Sequence, residues 1–394
     1  MAMAPHRVEH LRFSAYLALG YLLFPIIALV RFGRTKKSGR DMRILVVPIM
    51  TRVGDLICST PVYRRIKEEL PEAHLAVLVA KKAVGIVATN PHIDQFVNVN
   101  DPPFKGFFGR GRLFLYIFRM QFDAVVLLSN NPFNNLIALY SAAPIRVKTV
   151  IADRSLSEAL SDWFNTNQVA YQHGSSILDQ YVSLLAPLGI AYSSPIKELF
   201  VRREGEEKAA SFLGAMGNQP RSIVISICVS AGNRVKEWPL LRFSELAGRL
   251  LEEFPVRIVF IDSPGNASRI REVIEGVDQN MRQYLFSATD FSLEDLPSLV
   301  KKMNAVIAVD TGIVHVAHAL GVPLIDIVGP VHPGEQVPHD DRSVALVPQG
   351  IAPSIFAFKR AGLPKETADA VLAISVDQVL EAFREMVKRG IVSS

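Results

Sequence analysis

The chain has 394 residues, 49% of them hydrophobic, more than one ordinary domain needs and enough to fill two packed cores. It has only two cysteines, Cys58 and Cys228, far apart and without histidine at metal-ligand spacing, which argues against a disulfide framework or a zinc site and for a reducing compartment. The net charge of +5 is partly local and no aromatic-basic recognition motif accompanies it, so nucleic acid is not an expected partner.

Phe13 to Val30 is almost wholly apolar, interrupted by Gly20 and Pro25, and is followed at once by Arg31, Arg34, Lys36, Lys37 and Arg40. Its length just reaches the ~18 residues of a spanning helix. It can span, lie in the interface or re-enter with a kink at Pro25, or be the buried N-terminal helix of a soluble domain. A cleaved signal fits poorly, because no small-x-small pair precedes the charged run. The basic flank points to an anionic membrane surface and, in the two membrane readings, keeps the body of the protein in the cytoplasm.

From Arg43 the pattern alternates strand and helix. Ile44–Val47 reads as a buried strand, Pro48–Gly54 as a loop, and Asp55–Leu70 as one helix with Leu56, Ile57, Val62, Ile66 and Leu70 on its apolar side. Leu75–Val79 is the next strand, Val84–Ala88 is helical, Gln95–Val99 extended, and Ala124–Leu128 a buried strand. Phe104–Arg119 mixes aromatic and basic residues: either an amphipathic helix with a solvated basic face, or a contact with membrane or an anionic lipid-linked substrate. Ile177–Leu188 is a helix closed by Gly189. The switch to charged residues near Leu199–Glu207 marks a domain boundary. The second half repeats the alternation, with strands Ile223–Ile227, Arg257–Ile261, Ala305–Val309 and Leu324–Val328 and helices Leu241–Phe254, Ala267–Glu275, Val314–Leu320 and Val376–Lys388. The expected architecture is two doubly wound α/β domains, at 41–203 and 204–372, between an N-terminal segment 1–40 and a closing helix in 373–394.

Two turns in the second domain carry chemistry. After strand Ala305–Val309, Asp310-Thr311-Gly312 opens a helix: Asp310 or Thr311 can cap it, Gly312 lets a ligand approach the backbone, and first-turn N–H groups suit an anion. A capped turn with no ligand is the alternative. After strand Ile223–Ile227, the small residues Ser230, Ala231, Gly232 and Asn233 lead to Lys236 and Trp238-Pro239; their backbone donors and the Lys236 charge suit a diphosphate.

Three motifs then resemble glycosyltransferase family nine, the heptosyltransferases of lipopolysaccharide assembly. Arg52-Val53-Gly54-Asp55 with Thr60-Pro61 and Lys67 is similar to its S-x-G-D-x-x-x-T-x-P turn, Lys236-Glu237-Trp238-Pro239 to K-x-W-P, and Asp310-Thr311-Gly312-Ile313-Val314-His315-Val316-Ala317 to D-T-G-x-x-H-x-A. Gly329-Pro330 follows in order, and the likeness runs from Arg43 to Pro338. It implies a GT-B arrangement of two Rossmann-type lobes facing a cleft, with an acceptor lobe first and a donor lobe second. It also implies inverting chemistry without metal or cofactor, a nucleotide-sugar donor such as ADP-heptose, and a lipid-linked or lipopolysaccharide-core acceptor at the cytoplasmic face of the inner membrane.

By the same resemblance Asp55 is the base that takes the acceptor's proton, with Arg52 and Gly54 beside it on the acceptor side. Lys236 stabilises the leaving diphosphate, Asp310 binds sugar hydroxyls, and Thr311 and Gly312 offer N–H groups to phosphate. His315 either touches the donor or is a core histidine. The chain departs from the family at Asp262-Ser263-Pro264-Gly265-Asn266, where a Gly-rich turn with an acidic residue for the ribose is usual, and in its N-terminal apolar segment. A sugar-nucleotide epimerase or hydrolase on the same fold and a non-catalytic nucleotide-sugar-binding protein are the alternatives.

Overall fold

The computed structural model describes residues 5–33, 42–154, 156–217, 222–358 and 369–393, with side chains of the first segment described from Ser14 to Val30. The chain divides into two compact units, the first made of Met1–Val84 and Pro91–Pro195, the second of Gly85–Asn90 and Ile196–Ser394. Unit 2 thus takes a six-residue piece from within the sequence of unit 1.

In unit 1 six strands, β1 (Arg43–Val47), β2 (His74–Val79), β3 (Gln95–Asn98), β4 (Ala124–Leu127), β5 (Ile145–Ile151) and β6 (Asn167–Tyr171), form one sheet in the order β3-β2-β1-β4-β5-β6. Every pairing is parallel. The helices are α1 (Pro5–Gly33), α2 (Val53–Cys58), α3 (Thr60–Glu69), α4 (Gly106–Arg119), α5 (Pro132–Ser141), α6 (Leu156–Asp162) and α7 (Ile177–Ser183). Central strands such as β1 and β4 are buried on both faces, which is why they read as unbroken apolar runs rather than alternating ones.

Unit 2 repeats the plan. Its elements are α8 (Arg203–Ala215), β7 (Ile223–Cys228), α9 (Leu240–Glu253), β8 (Val256–Ile261), α10 (Ala267–Glu275), β9 (Leu285–Ala288), α11 (Leu296–Val300), β10 (Ala305–Val309), α12 (Gly312–Ala319), β11 (Leu324–Ile327), β12 (Ser343–Leu346) and α13 (Val376–Lys388). The sheet order β12-β11-β10-β7-β8-β9 is all parallel and reverses direction between β7 and β10. Right-handed crossovers therefore place α9 and α12 on opposite faces. One face carries the core of Ile225, Ile227, Ile307 and Ile325 with Trp238, Phe243 and Leu250, and α13 completes it with Val379, Leu380 and Phe383. A capping box, Ser375 with Gln378, starts α13.

Two expected helices divide, one of them Ile177–Leu188, which is α-helical only to Ser183 and then a 3-10 turn at Ala186–Leu188. Asp55–Leu70 is not one helix: it breaks between α2 and α3 at Ser59, whose N–H still bonds Asp55 O at 3.1 Å. Pro61 follows at the start of α3 and has no N–H with which to continue the ladder.

The apolar segment Phe13–Val30 lies in α1 and runs helically through Pro25. One face is committed to unit 1. Tyr16 and Ile27 are buried, the Tyr140 hydroxyl donates to Tyr16 O at 3.2 Å, and Gly20 sits so close to α5 that a Cβ there would meet Leu139 at 2.8 Å. Among the described residues no helix is long and apolar enough to cross a membrane. Arg34, Lys36, Lys37 and Arg40 lie outside the described residues.

Candidate active site

In unit 2 the loops after β7 and β10 leave the carboxyl ends of adjacent strands at the point where the strand order reverses, the crevice in which open α/β sheets bind ligands. The structure brings Lys236 and Asp310, one from each loop, together there. Lys236 Nζ donates to Asp310 Oδ2 at 2.6 Å, joining the two loops across the reversal. The loop carrying Lys236 is fixed from below: Trp238 is buried, its indole N–H donates to Ile374 O at 3.0 Å, and its ring meets Phe243 edge-on at 5.2 Å. Asn233 caps the single 3-10 turn Arg234–Lys236, accepting from Val235 N. Ala231 packs against the core of unit 2, and a Cβ at Gly232 would meet nothing within 4 Å, so backbone is open to a ligand at that residue.

Thr311 is the extended N-cap of α12, and its side chain makes no capping bond. Val314 N already bonds Thr311 O at 3.1 Å, so the first-turn N–H groups left for another acceptor are those of Gly312 and Ile313. Ser230 points the other way: its hydroxyl donates to Asp262 Oδ1 at 2.8 Å, and Asn266 Nδ2 donates to both, at 2.9 and 2.7 Å. The departing stretch Asp262–Asn266 therefore stitches the β7 loop to the β8 loop. Asp262 Oδ2 is buried without a hydrogen-bond partner.

His315 resolves toward the interior. It is buried, and Lys197 Nζ donates to its Nδ1 at 3.1 Å. Burial, reinforced by the charges of Lys197 and Lys236, holds the imidazole well below the ordinary histidine range, so it is neutral. Burial likewise pulls His318 down to about 4, although Asp340 opposes it. Two groups here carry no sequence motif. Lys197, in the extended stretch entering unit 2, is 4% exposed, and Asp326, mid-strand in β11, is 1% exposed with both carboxylate oxygens lacking a hydrogen-bond partner. Burial pushes Asp326 well above the usual carboxylate range, Asp310 adds to that, and Lys236 and Lys197 oppose it. The only advance signal was Asp326 itself, a lone acid within the apolar run Leu324–Val328.

Asp55 is placed in unit 1. It lies in the first turn of α2, just beyond β1, where the order of that sheet also reverses. It is 5% exposed, with Arg52 Nη1 3.6 Å away. Arg52 is half exposed and is the N-cap residue, and Gly54 precedes Asp55 in the helix. Cys228 is inert, its thiol pushed up to about 12 by burial. A recess of about 710 Å³ in unit 2 is lined by Lys301, Asn304, Pro323 and Arg342, at the amino ends of the strands, away from both loops.

Residues 110–355, well over half of the chain, match the profile of glycosyltransferase family 9 (heptosyltransferase). The chain belongs to glycosyltransferase family 9. Among its heptosyltransferase relatives is the lipopolysaccharide core heptosyltransferase OpsX of Haemophilus influenzae, 22% identical over 297 residues, 74% of this chain and 80% of that one. The fold of a family 9 glycosyl transferase from Veillonella parvula superposes with a TM-score of 0.74 at 22% identity, covering 90% of this chain and all of that one. E. coli heptosyltransferase WaaC, solved with ADP-2-deoxy-2-fluoro heptose, gives a TM-score of 0.61 at 17% identity, covering 87% and 99%. As a family 9 heptosyltransferase the chain is a glycosyl-transferring enzyme, which favours transfer over epimerisation or hydrolysis.

Proposed function

We propose that this protein transfers heptose from ADP-heptose to a lipopolysaccharide-core or related lipid-linked acceptor, with inversion and without a metal, at the cytoplasmic face of the inner membrane. The Lys236–Asp310 pair at the strand reversal of unit 2 carries this reading. A pyrophosphate at the start of α12 would meet its first-turn N–H groups and the Lys236 ammonium, which together replace a metal. Asp310, already aimed at Lys236, then has an oxygen for a sugar hydroxyl. Ser230, Ala231, Gly232 and Asn233 form the wall of the same loop, and Asp262 is the acid at the end of β8 suited to a ribose hydroxyl. Neutral His315, held by Lys197, supports α12 from inside rather than contacting the donor.

The acceptor hydroxyl oxygen attacks the anomeric carbon as the bond from that carbon to the phosphate oxygen breaks. ADP leaves with the electron pair and Asp55 takes the hydroxyl proton. General-base catalysis is typically worth ~10²–10⁴-fold. Asp55→Asn is therefore expected to lose at least a hundredfold in turnover at saturating acceptor while ADP affinity, read by calorimetry, holds. Lys236→Ala should show the converse weakening of ADP. A surviving Asp55→Asn rate within about threefold of wild type, or equal loss of ADP binding in both variants, overturns these roles.

A further inference from the structure

With one face of α1 buried on unit 1, its other face is left uncovered by the described residues. Leu22, Ile26 and Leu29 are 74%, 61% and 74% exposed, and their spacing puts them in one line along the helix. Neighbouring apolar groups widen that line. Trp163, 57% exposed, lies with its ring 4.6 Å from Phe24, the Tyr21 hydroxyl donates to Leu160 O at 2.7 Å, and Leu156 and Leu160 continue the face along α6. Monomeric proteins rarely leave contiguous large apolar patches to water.

Charge says what covers it. Residues 1–40 hold seven arginines and lysines and one glutamate, all outside Phe13–Val30, so in the sequence the whole positive surplus of a chain with net charge +5 flanks this apolar run. The occupant must be apolar inside and anionic at its surface. A second copy of the chain would bury the apolar line but oppose like charges, which costs affinity. A bilayer satisfies both, since tryptophan and tyrosine favour its interface and an anionic surface attracts basic residues.

We propose that the α1–α6 face is a membrane-docking surface that lies in the headgroup boundary of an anionic bilayer rather than across it. This deepens the reading of a lipid-linked acceptor, but docking is read with no sugar present, so the two can fail separately. The test is flotation of the full chain with phosphatidylglycerol–phosphatidylethanolamine vesicles and with phosphatidylcholine vesicles. Wild type should float with the anionic vesicles and much less with the neutral ones. Leu22→Glu, Ile26→Glu and Leu29→Glu combined should lower flotation at least tenfold, and Leu22→Glu alone severalfold, with unfolding temperature and transfer to a delipidated acceptor unchanged. Failure of wild type to float, undiminished flotation of the triple variant, or a wild-type dimer that the triple variant converts to monomer would each overturn the proposal. Absent transfer with the expected flotation would count against the transferase reading alone.

Discussion

Asp326 shows how a single side chain can set a pH dependence. Its carboxyl is held protonated by burial, with Asp310 pushing the same way and Lys236 and Lys197 opposing. Its ordinary value is 3.8 and its folded value is raised, so the folded state keeps a proton that the unfolded chain releases. This group therefore costs nothing below pH 3.8 and costs about 1.4 kcal/mol per pH unit above it, until the folded value is reached. Asp326→Asn removes that cost while keeping the shape. Calorimetric melting should show the variant gaining on wild type between pH 4.5 and pH 7.5. A gain that is flat or shrinks with pH would mean that the carboxylate is ionised and paired with a lysine. His315 and His318 work in the opposite direction: both are lowered, so stability is lost as pH falls from 6.5, toward about 4 for His318.

At the scale of elements, two of the three glycines of α4, Gly109 and Gly111, are under opposite constraints. A Cβ at Gly109 would lie 2.5 Å from the carbonyl carbon of Phe104, a backbone atom that cannot rotate away, whereas the nearest atom to one at Gly111 is the Tyr16 hydroxyl at 3.7 Å. Gly109→Ala should cost ~1–3 kcal/mol in chemical denaturation, and Gly111→Ala should be neutral or stabilise by up to ~1 kcal/mol. Equal effects would show that α4 does not hold its place against Phe104.

The same scale shows what the sequence could reveal. Ile223–Ile227 and Ala305–Val309 were legible because strands covered on both faces must be apolar throughout, and the turns at Lys236 and Asp310 because their chemistry is packed into a few adjacent residues. β6, β9 and β12 were not, since they are partly exposed edge or near-edge strands with mixed residues. β5 was hidden by Arg146 and Lys148, charges that belong to a surface until the fold supplies partners: the carbonyl oxygens of Phe164 and Ala143 for Arg146, the carboxylate of Asp162 for Lys148. Burial keeps Lys148 below the usual lysine range even with Asp162 beside it. Lys197 was unreadable for a related reason, because its partner His315 lies 118 residues away.

At the scale of the molecule the chain crosses between units three times, at Val84/Gly85, Asn90/Pro91 and Pro195/Ile196. Within unit 2 the borrowed piece is closely held. A Cβ at Gly85 would meet Glu294 and Leu293 at 3.1 and 3.2 Å, the Thr89 hydroxyl donates to Phe200 O at 2.8 Å, and Ile86 and Val87 are buried. Two separately encoded chains, 1–195 and 196–394, should therefore copurify when coexpressed, and replacing Gly85–Asn90 with a Gly-Ser hexapeptide should weaken that at least tenfold. Copurification that survives the replacement would show that the piece is not the tie.

That borrowed hexapeptide also imposes an order on synthesis. Gly85 leaves the ribosome some 200 residues before its neighbours Leu293 and Glu294 exist. At ~5–20 residues per second this is an interval on the order of 10–40 s. Through it the hexapeptide is present without Leu293 and Glu294 beside Gly85, so the stretch joining β2 to β3 is completed only after much of unit 2 has been made.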